Sequence, residues 1–139
     1  MSVIEAGALH HVGVVVPSLG EAIPFYRDAL GYTIGTAHEV ADQRVRIVFA
    51  TRGASRVELL EPTDATSGIA RFLAERGRAT MHHVCFEVDD LKTALDRLAS
   101  SGVELIDRAP RRGVDGMVAF LHPRAAGGML VELIQRSDP

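Results

Sequence analysis

Leu9-His10-His11-Val12 returns 72 residues later as Met81-His82-His83-Val84, and this repeat decides how the chain is organised. A second segment recurs in the same order, because Val57-Glu58-Leu59-Leu60 returns as Val131-Glu132-Leu133-Ile134 at an offset of 74 residues. An ordered series of matches at nearly constant spacing indicates an internal duplication. Halves of roughly 70 residues bury an apolar face poorly when they are alone. We therefore predict a single domain, 1–139, made of two repeats at about 8–62 and 80–136 that are joined by a short helix.

The composition is typical of a globular domain and excludes several classes of protein. Hydrophobic residues make up 47% of the 139 residues and charged residues 24%, which excludes a largely disordered chain. The net charge of −3 lacks the basic footprint of a nucleic-acid binder. No apolar run approaches the ~20 residues of a membrane span. Because no Lys or Arg precedes Arg27 and Cys85 is the only cysteine, we expect a cytoplasmic protein without a secretory signal.

Each half is predicted to be a β-α-β-β-β module, so the fold class is α+β. The opening strand ends at Pro17, and Ser18 with Glu21 three residues later is typical of a helix N-terminus. Helices are predicted over Leu19–Leu30, which contains Pro24, over Ser67–Arg76 and over Leu91–Ser100. Further strands are predicted over 32–40, 44–50, 56–61, 81–88, 103–107, 117–122 and 130–135, and loops over 111–116 and 124–128.

Strand parity separates the two histidines of each pair. His10 shares a strand face with the alternating valines 12, 14 and 16, which should lie under a helix. His11 lies on the other face with Gly13, and His83 lies on the corresponding face with Cys85. The second histidine of each pair is therefore the candidate functional residue.

Two glutamates accompany these histidines. Glu58 and Glu132 each stand between apolar neighbours, where a carboxylate has a large desolvation cost unless it is paired or coordinated. If the halves are related by a pseudo-two-fold axis, His11, His83 and both glutamates meet around it. Two imidazoles and two carboxylates suit a divalent ion such as Co²⁺, Ni²⁺, Mn²⁺, Fe²⁺ or Zn²⁺. The alternative is that the histidines are core residues and the glutamates face solvent on edge strands.

The repeated stretches resemble a known family over nearly the whole chain. The matching stretches are His11–Val16, Phe25–Arg27, Val57–Pro62, Ile69–Leu73, His82–Asp90, Phe120–Pro123 and Gly127–Leu133. The general pattern resembles the vicinal oxygen chelate, or glyoxalase-like, superfamily. The stretches His82–Asp90 and Phe120–Pro123 are more specific and resemble the methylmalonyl-CoA epimerase family within it.

The resemblance implies a curved sheet of paired modules around a metal site. His11, His83 and Glu132 would hold the metal, Co²⁺ before Ni²⁺, Mn²⁺, Zn²⁺ or Fe²⁺, with Glu58 at the position of a fourth ligand. The implied activity is that of an isomerase of propionate metabolism. It would interconvert (2R)- and (2S)-methylmalonyl-CoA by removing and returning the proton of the α carbon through an enolate. A homodimer is the expected assembly.

The catalytic bases are predicted to be Glu58 and Glu132. Some epimerases carry an acid on the third strand, whereas Val45–Phe49 contains none here. The acyl-CoA substrate would contact four residues of the second half, namely Arg111, Arg112, Arg124 and His122, since Arg suits phosphate. The alternatives are a glyoxalase-type lyase or isomerase of the same fold, an oxygen-activating iron enzyme, and a metal-free module that binds small molecules.

Overall fold

The computed structural model describes residues 2–136 and combines helices with β-strands, as the α+β prediction requires. The chain divides into two compact units. We call residues 11–82 the first unit, and the residues up to His10 together with those from His83 onward the second unit. The described residues contain no helix that is long and apolar enough to cross a membrane. The single domain predicted from the repeat stays a prediction.

The strands of the first unit place one position of the repeat at its centre. Its strands are β1 (Leu9–Val15), β2 (Thr33–Ile34), β3 (His38–Val40), β4 (Val45–Arg52) and β5 (Ser55–Pro62). They are ordered β2-β4-β5-β1, and β3 also pairs with β4. Strand β1 is parallel to β5 with Gly13 opposite Glu58, and β4 is antiparallel to β5 with Phe49 opposite the same glutamate.

Two helices cover apolar residues of the first unit. Helix α1 (Leu19–Pro24) begins as predicted, because the Ser18 hydroxyl accepts the Glu21 N–H at 3.3 Å. It packs against a cluster that includes Val16 and Leu59. Helix α2 (Gly68–Arg76) packs against a different cluster, Val15, Val45, Ile47 and Leu60. The two helices therefore bury separate parts of the first unit.

The long helix predicted over Leu19–Leu30 is partly wrong. After Pro24 the chain continues as a π-helical segment, Phe25–Ala29, in which the Leu30 N–H donates to the Phe25 carbonyl at 3.1 Å. Proline has no N–H and disturbs the preceding α-helical turn, which favours this wider spacing. The prediction that Leu30 lies inward fails with it, since Leu30 is 47% exposed.

The second unit repeats the same arrangement. Its strands are β6 (Thr80–Glu87), β7 (Arg111–Arg112), β8 (Gly116–Leu121) and β9 (Val131–Arg136), in the order β6-β9-β8-β7. Strand β6 is parallel to β9 with Cys85 opposite Glu132, and β8 is antiparallel to β9 with Phe120 opposite Glu132. Helix α3 (Leu91–Ser100) is capped by Asp90 and buries four residues, Leu91, Ala94, Leu95 and Leu98.

Three further predictions of secondary structure need correction. The strand predicted over 32–40 is two short strands, β2 and β3, that pair with different parts of β4. The strand predicted over 103–107 is only a bridge from Leu105 to Leu121, because the N–H groups of Ile106 and Asp107 share the Phe120 carbonyl, which a regular ladder does not allow.

The two predicted loops of the second unit contain regular structure. The loop at 111–116 includes strand β7, which pairs with β8. The loop at 124–128 overlaps a 3₁₀ helix, Pro123–Ala126, which starts with a proline at a favourable position and ends at Gly127 with φ +66°.

Candidate functional site

The first unit holds a buried histidine–glutamate pair. His11 is 3% exposed and Glu58 7% exposed, and the His11 Nε2 lies 3.6 Å from the Glu58 Oε1. The parallel register of β1 and β5 explains the pairing, because His11 stands two residues before Gly13, the partner of Glu58. Gly13 has no side chain, so the imidazole and the carboxylate can meet across it.

The second unit holds the equivalent pair. His83 is 2% exposed and Glu132 6% exposed, with 3.2 Å between the His83 Nε2 and the Glu132 Oε1. Here the partner of Glu132 on β6 is Cys85, which is fully buried against Val118 and Ile134. The alternative that both glutamates face solvent is therefore wrong.

A phenylalanine accompanies each pair, and the sequence analysis missed both. Phe49 meets His11 with ring centroids 5.3 Å apart at 80°, and Phe120 meets His83 at 5.8 Å and 87°. Each phenylalanine is the direct cross-strand partner of the glutamate of its unit. The signal in the sequence was the nearly constant offset, since Phe49 and Phe120 are separated by 71 residues.

The donor atoms of these pairs fit a divalent cation. Each unit supplies one imidazole nitrogen and one carboxylate oxygen from residues that are almost completely buried. A carboxylate in such surroundings needs a positive partner, and a metal ion or a protonated imidazole provides one. Nitrogen and carboxylate oxygen donors together suit first-row divalent metals.

The first histidine of each repeat has other contacts, as parity predicted. The side chain of His10 is fully buried, and its Nε2 lies 2.7 Å from the Asp115 Oδ2. His82 meets Phe72 of α2 with ring centroids 5.0 Å apart at 89°. The partner of His10 lies 105 residues away in the sequence, so the local pattern could not reveal it.

Of the predicted substrate contacts, Arg111 lies nearest to a histidine–glutamate pair. Its guanidinium lies over the Phe120 ring at 5.6 Å, and its Nε is 3.4 Å from the Asp107 Oδ2. Asp107 also accepts the Phe120 N–H at 2.9 Å. The neighbouring Arg112 is exposed on β7. The structure thus joins Arg111 to the aromatic side of the second pair.

The other two predicted substrate contacts lie together at Glu104, which the sequence analysis did not single out. The Arg124 guanidinium lies 2.6 Å from the Glu104 Oε2, and the His122 Nε2 lies 3.6 Å from the same oxygen. The hydrogen bond from Arg124 lowers the pKa of Glu104, and the same contact raises the pKa of Arg124. The His122 Nδ1 accepts the Arg124 N–H at 3.1 Å, which turns its Nε2 toward the carboxylate.

Comparison with known proteins identifies the class. Residues 10–120 match the family model described as the glyoxalase/bleomycin resistance protein/dioxygenase superfamily, and the chain belongs to this superfamily. An ethylmalonyl-CoA/methylmalonyl-CoA epimerase of Cereibacter sphaeroides is 39% identical over 131 residues, which cover 93% of this chain and 98% of that relative.

Solved structures agree with this assignment. The crystal structure of methylmalonyl-CoA epimerase from Mycobacterium tuberculosis is 33% identical, with a TM-score of 0.91, and the match covers 99% of this chain and 93% of that one. A methylmalonyl-CoA epimerase in complex with methylmalonyl-CoA and NH₄⁺ is 29% identical, with a TM-score of 0.89 and 96% of each chain covered. Within the superfamily, the chain belongs to the methylmalonyl-CoA epimerase family, as its resemblance predicted.

Proposed function

We propose that this protein interconverts (2R)- and (2S)-methylmalonyl-CoA. The observation that carries the proposal is the buried histidine–glutamate pair that stands at equivalent strand positions of both units, in a chain whose relatives are epimerases of this substrate. One relative is also named for ethylmalonyl-CoA, so the substrate class is a 2-substituted malonyl thioester. The relatives give no support to a glyoxalase-type lyase or to a metal-free binding module.

Four residues are proposed as metal ligands, namely His11, His83, Glu132 and Glu58. Their burial and donor atoms support the proposal, since each unit contributes one nitrogen and one oxygen donor. When bound, a divalent cation would stabilise the negative charge that develops on the thioester oxygen as the α proton leaves. We place Co²⁺ first among the candidate metals and Ni²⁺, Mn²⁺, Zn²⁺ and Fe²⁺ after it.

The bases are proposed to be Glu58 and Glu132. Epimerisation at one carbon requires that a proton leave from one face and return to the other, so two carboxylates from duplicated positions suit the reaction. Strand β4 supports Glu58 as a base, because the positions before Phe49 offer no acid and Ile47 is buried in the cluster under α2. One carboxylate would take the proton from the α carbon, and the other would return one to the enolate from the opposite side.

The coenzyme A portion is proposed to meet the second unit. Arg111, Arg112 and Arg124 would contact its phosphates, and His122 would contact the substrate carboxylate. A cavity of about 260 Å³ lined by Glu104 and Arg124 supports a role for Arg124. A cytoplasmic homodimer that acts in propionate metabolism completes the proposal, and these three points depend on the sequence and its resemblance.

Exchange of the α proton with solvent tests the function directly. Protein loaded with Co²⁺ is incubated in D₂O with (2R)- and, separately, (2S)-methylmalonyl-CoA, and deuterium at C2 and the ratio of epimers are followed by NMR. We expect both epimers to reach the same mixture with deuterium at C2. Retention of the proton and of the starting configuration by both substrates would reject the proposed function.

A further inference from the structure

We propose that Phe49 and Phe120 are positioning residues that hold the imidazoles of His11 and His83 in the orientation needed to bind a metal. This inference rests on the proposed function, because it assigns the two rings a role at the same site. Neither phenylalanine carries a group that could bind metal or move a proton, so each would act only through its histidine.

In the first unit, Phe49 contacts both members of the pair. As the antiparallel partner of Glu58, it projects from the same face of the sheet, where directly opposite side chains lie ~5 Å apart. Its ring also meets the His11 ring at 80° and 5.3 Å. Edge-to-face contact favours one plane of the imidazole over others, since the edge of one ring is attracted to the face of the next. Phe49 therefore restricts how the His11 Nε2 is directed toward Glu58.

The second unit repeats this geometry with a more elaborate support. Phe120 is 9% exposed, lies opposite Glu132 and meets the His83 ring at 87° and 5.8 Å. Its own backbone N–H donates to Asp107, and the Arg111 guanidinium lies over its ring. The ring that orients His83 is thus held by its strand, by a carboxylate on its backbone and by a cation on its face.

The duplication argues against a role in packing alone. A phenylalanine that only filled space could be exchanged for another apolar residue in either unit, yet the same ring type occurs opposite both glutamates and perpendicular to both histidines. Groups that support a metal-binding imidazole from outside fix its ring plane, and their loss typically weakens metal binding by roughly 10- to 100-fold.

Leucine variants with a matched control test the inference. Phe49→Leu and Phe120→Leu keep an apolar side chain but remove the aromatic contact, while Phe49→Tyr keeps the ring. Phe72→Leu is the control, because Phe72 makes the same perpendicular contact with His82, which is not a proposed ligand. The dissociation constant of Co²⁺ is measured by chelator competition, and the visible absorption of the Co²⁺ protein reports the geometry of its ligands.

We expect both site variants to bind Co²⁺ roughly tenfold more weakly, with altered absorption and with kcat reduced more than KM. Phe49→Tyr and Phe72→Leu should keep the affinity and the spectrum of the unchanged protein. Equal affinity and spectra in both leucine variants and the unchanged protein would overturn the inference while leaving the proposed function intact. Failure of the unchanged protein to bind Co²⁺ would overturn both.

Discussion

The exchange of Glu58 for glutamine separates its role as a base from its role as a ligand. Glutamine has nearly the same volume as glutamate, so packing at this 7% exposed position should change little. Its amide oxygen can still coordinate a metal, but the amide cannot accept a proton from carbon. We expect Glu58→Gln to keep most of the bound metal and to lose epimerisation by about 10²- to 10⁴-fold, the usual range for a general base.

A second carboxylate on the same strand supplies the control. Glu61 stands three residues after Glu58 on β5, so it lies on the opposite face, where its Oε2 accepts the Leu19 N–H at 3.1 Å. Glu61→Gln makes the same chemical change and removes a negative charge from the start of α1. It should cost about 0.5 kcal/mol of unfolding free energy and leave the epimerisation rate unaffected.

Exchange with D₂O distinguishes a two-base reaction from a one-base reaction. Glu58→Gln should still incorporate deuterium into one epimer through Glu132, and Glu132→Gln should do the reverse with some loss of metal. Epimerisation by Glu58→Gln at nearly the rate of the unchanged protein would refute the reasoning, because Glu58 would then be only a ligand.

Three further changes test the site and its support. His83→Ala should lose most of the Co²⁺ that the purified protein retains by elemental analysis, whereas His82→Ala should mainly lower stability; equal metal in both would contradict the proposed ligand. Gly116→Ala should lower the unfolding free energy by about 3 kcal/mol in urea titrations, because φ is +150° and a Cβ would lie 2.9 Å from the Arg136 Cα. Gln135→Leu removes the acceptor of the Leu91 N–H at 2.8 Å and should cost about 1 kcal/mol, and an unchanged melting temperature would show that this bond is dispensable.

The repeat and strand parity were enough to predict the polar members of the candidate site. His11, Glu58, His83 and Glu132 are all buried, and each histidine lies beside the glutamate of its own unit. This succeeded because parallel pairing of the opening and closing strands is a property of each repeat, which the offsets preserve. Whether the two pairs share one metal stays a prediction.

Features that depend on non-local register could not be predicted in the same way. Phe49 and Phe120 became visible only when the antiparallel partners of the glutamates were known. Strand β7 is two residues long, too short for a periodic pattern, and its pairing depends on β8. The π-helical segment follows from Pro24, whose presence warned of irregularity without specifying its form.

Differences between the repeats indicate where specificity for the substrate resides. In the first unit, the residue paired two positions before Phe49, opposite Ile47, is His38, which is exposed. In the second unit the equivalent partner, opposite Val118, is Arg111, whose guanidinium lies over Phe120. The proposed proton transfers need similar groups on both sides of one carbon, and the duplication keeps those groups alike. Coenzyme A is attached at only one end of the substrate, so its phosphates need cations on only one side. The arginine in the second repeat alone supports the proposal that this unit binds the coenzyme.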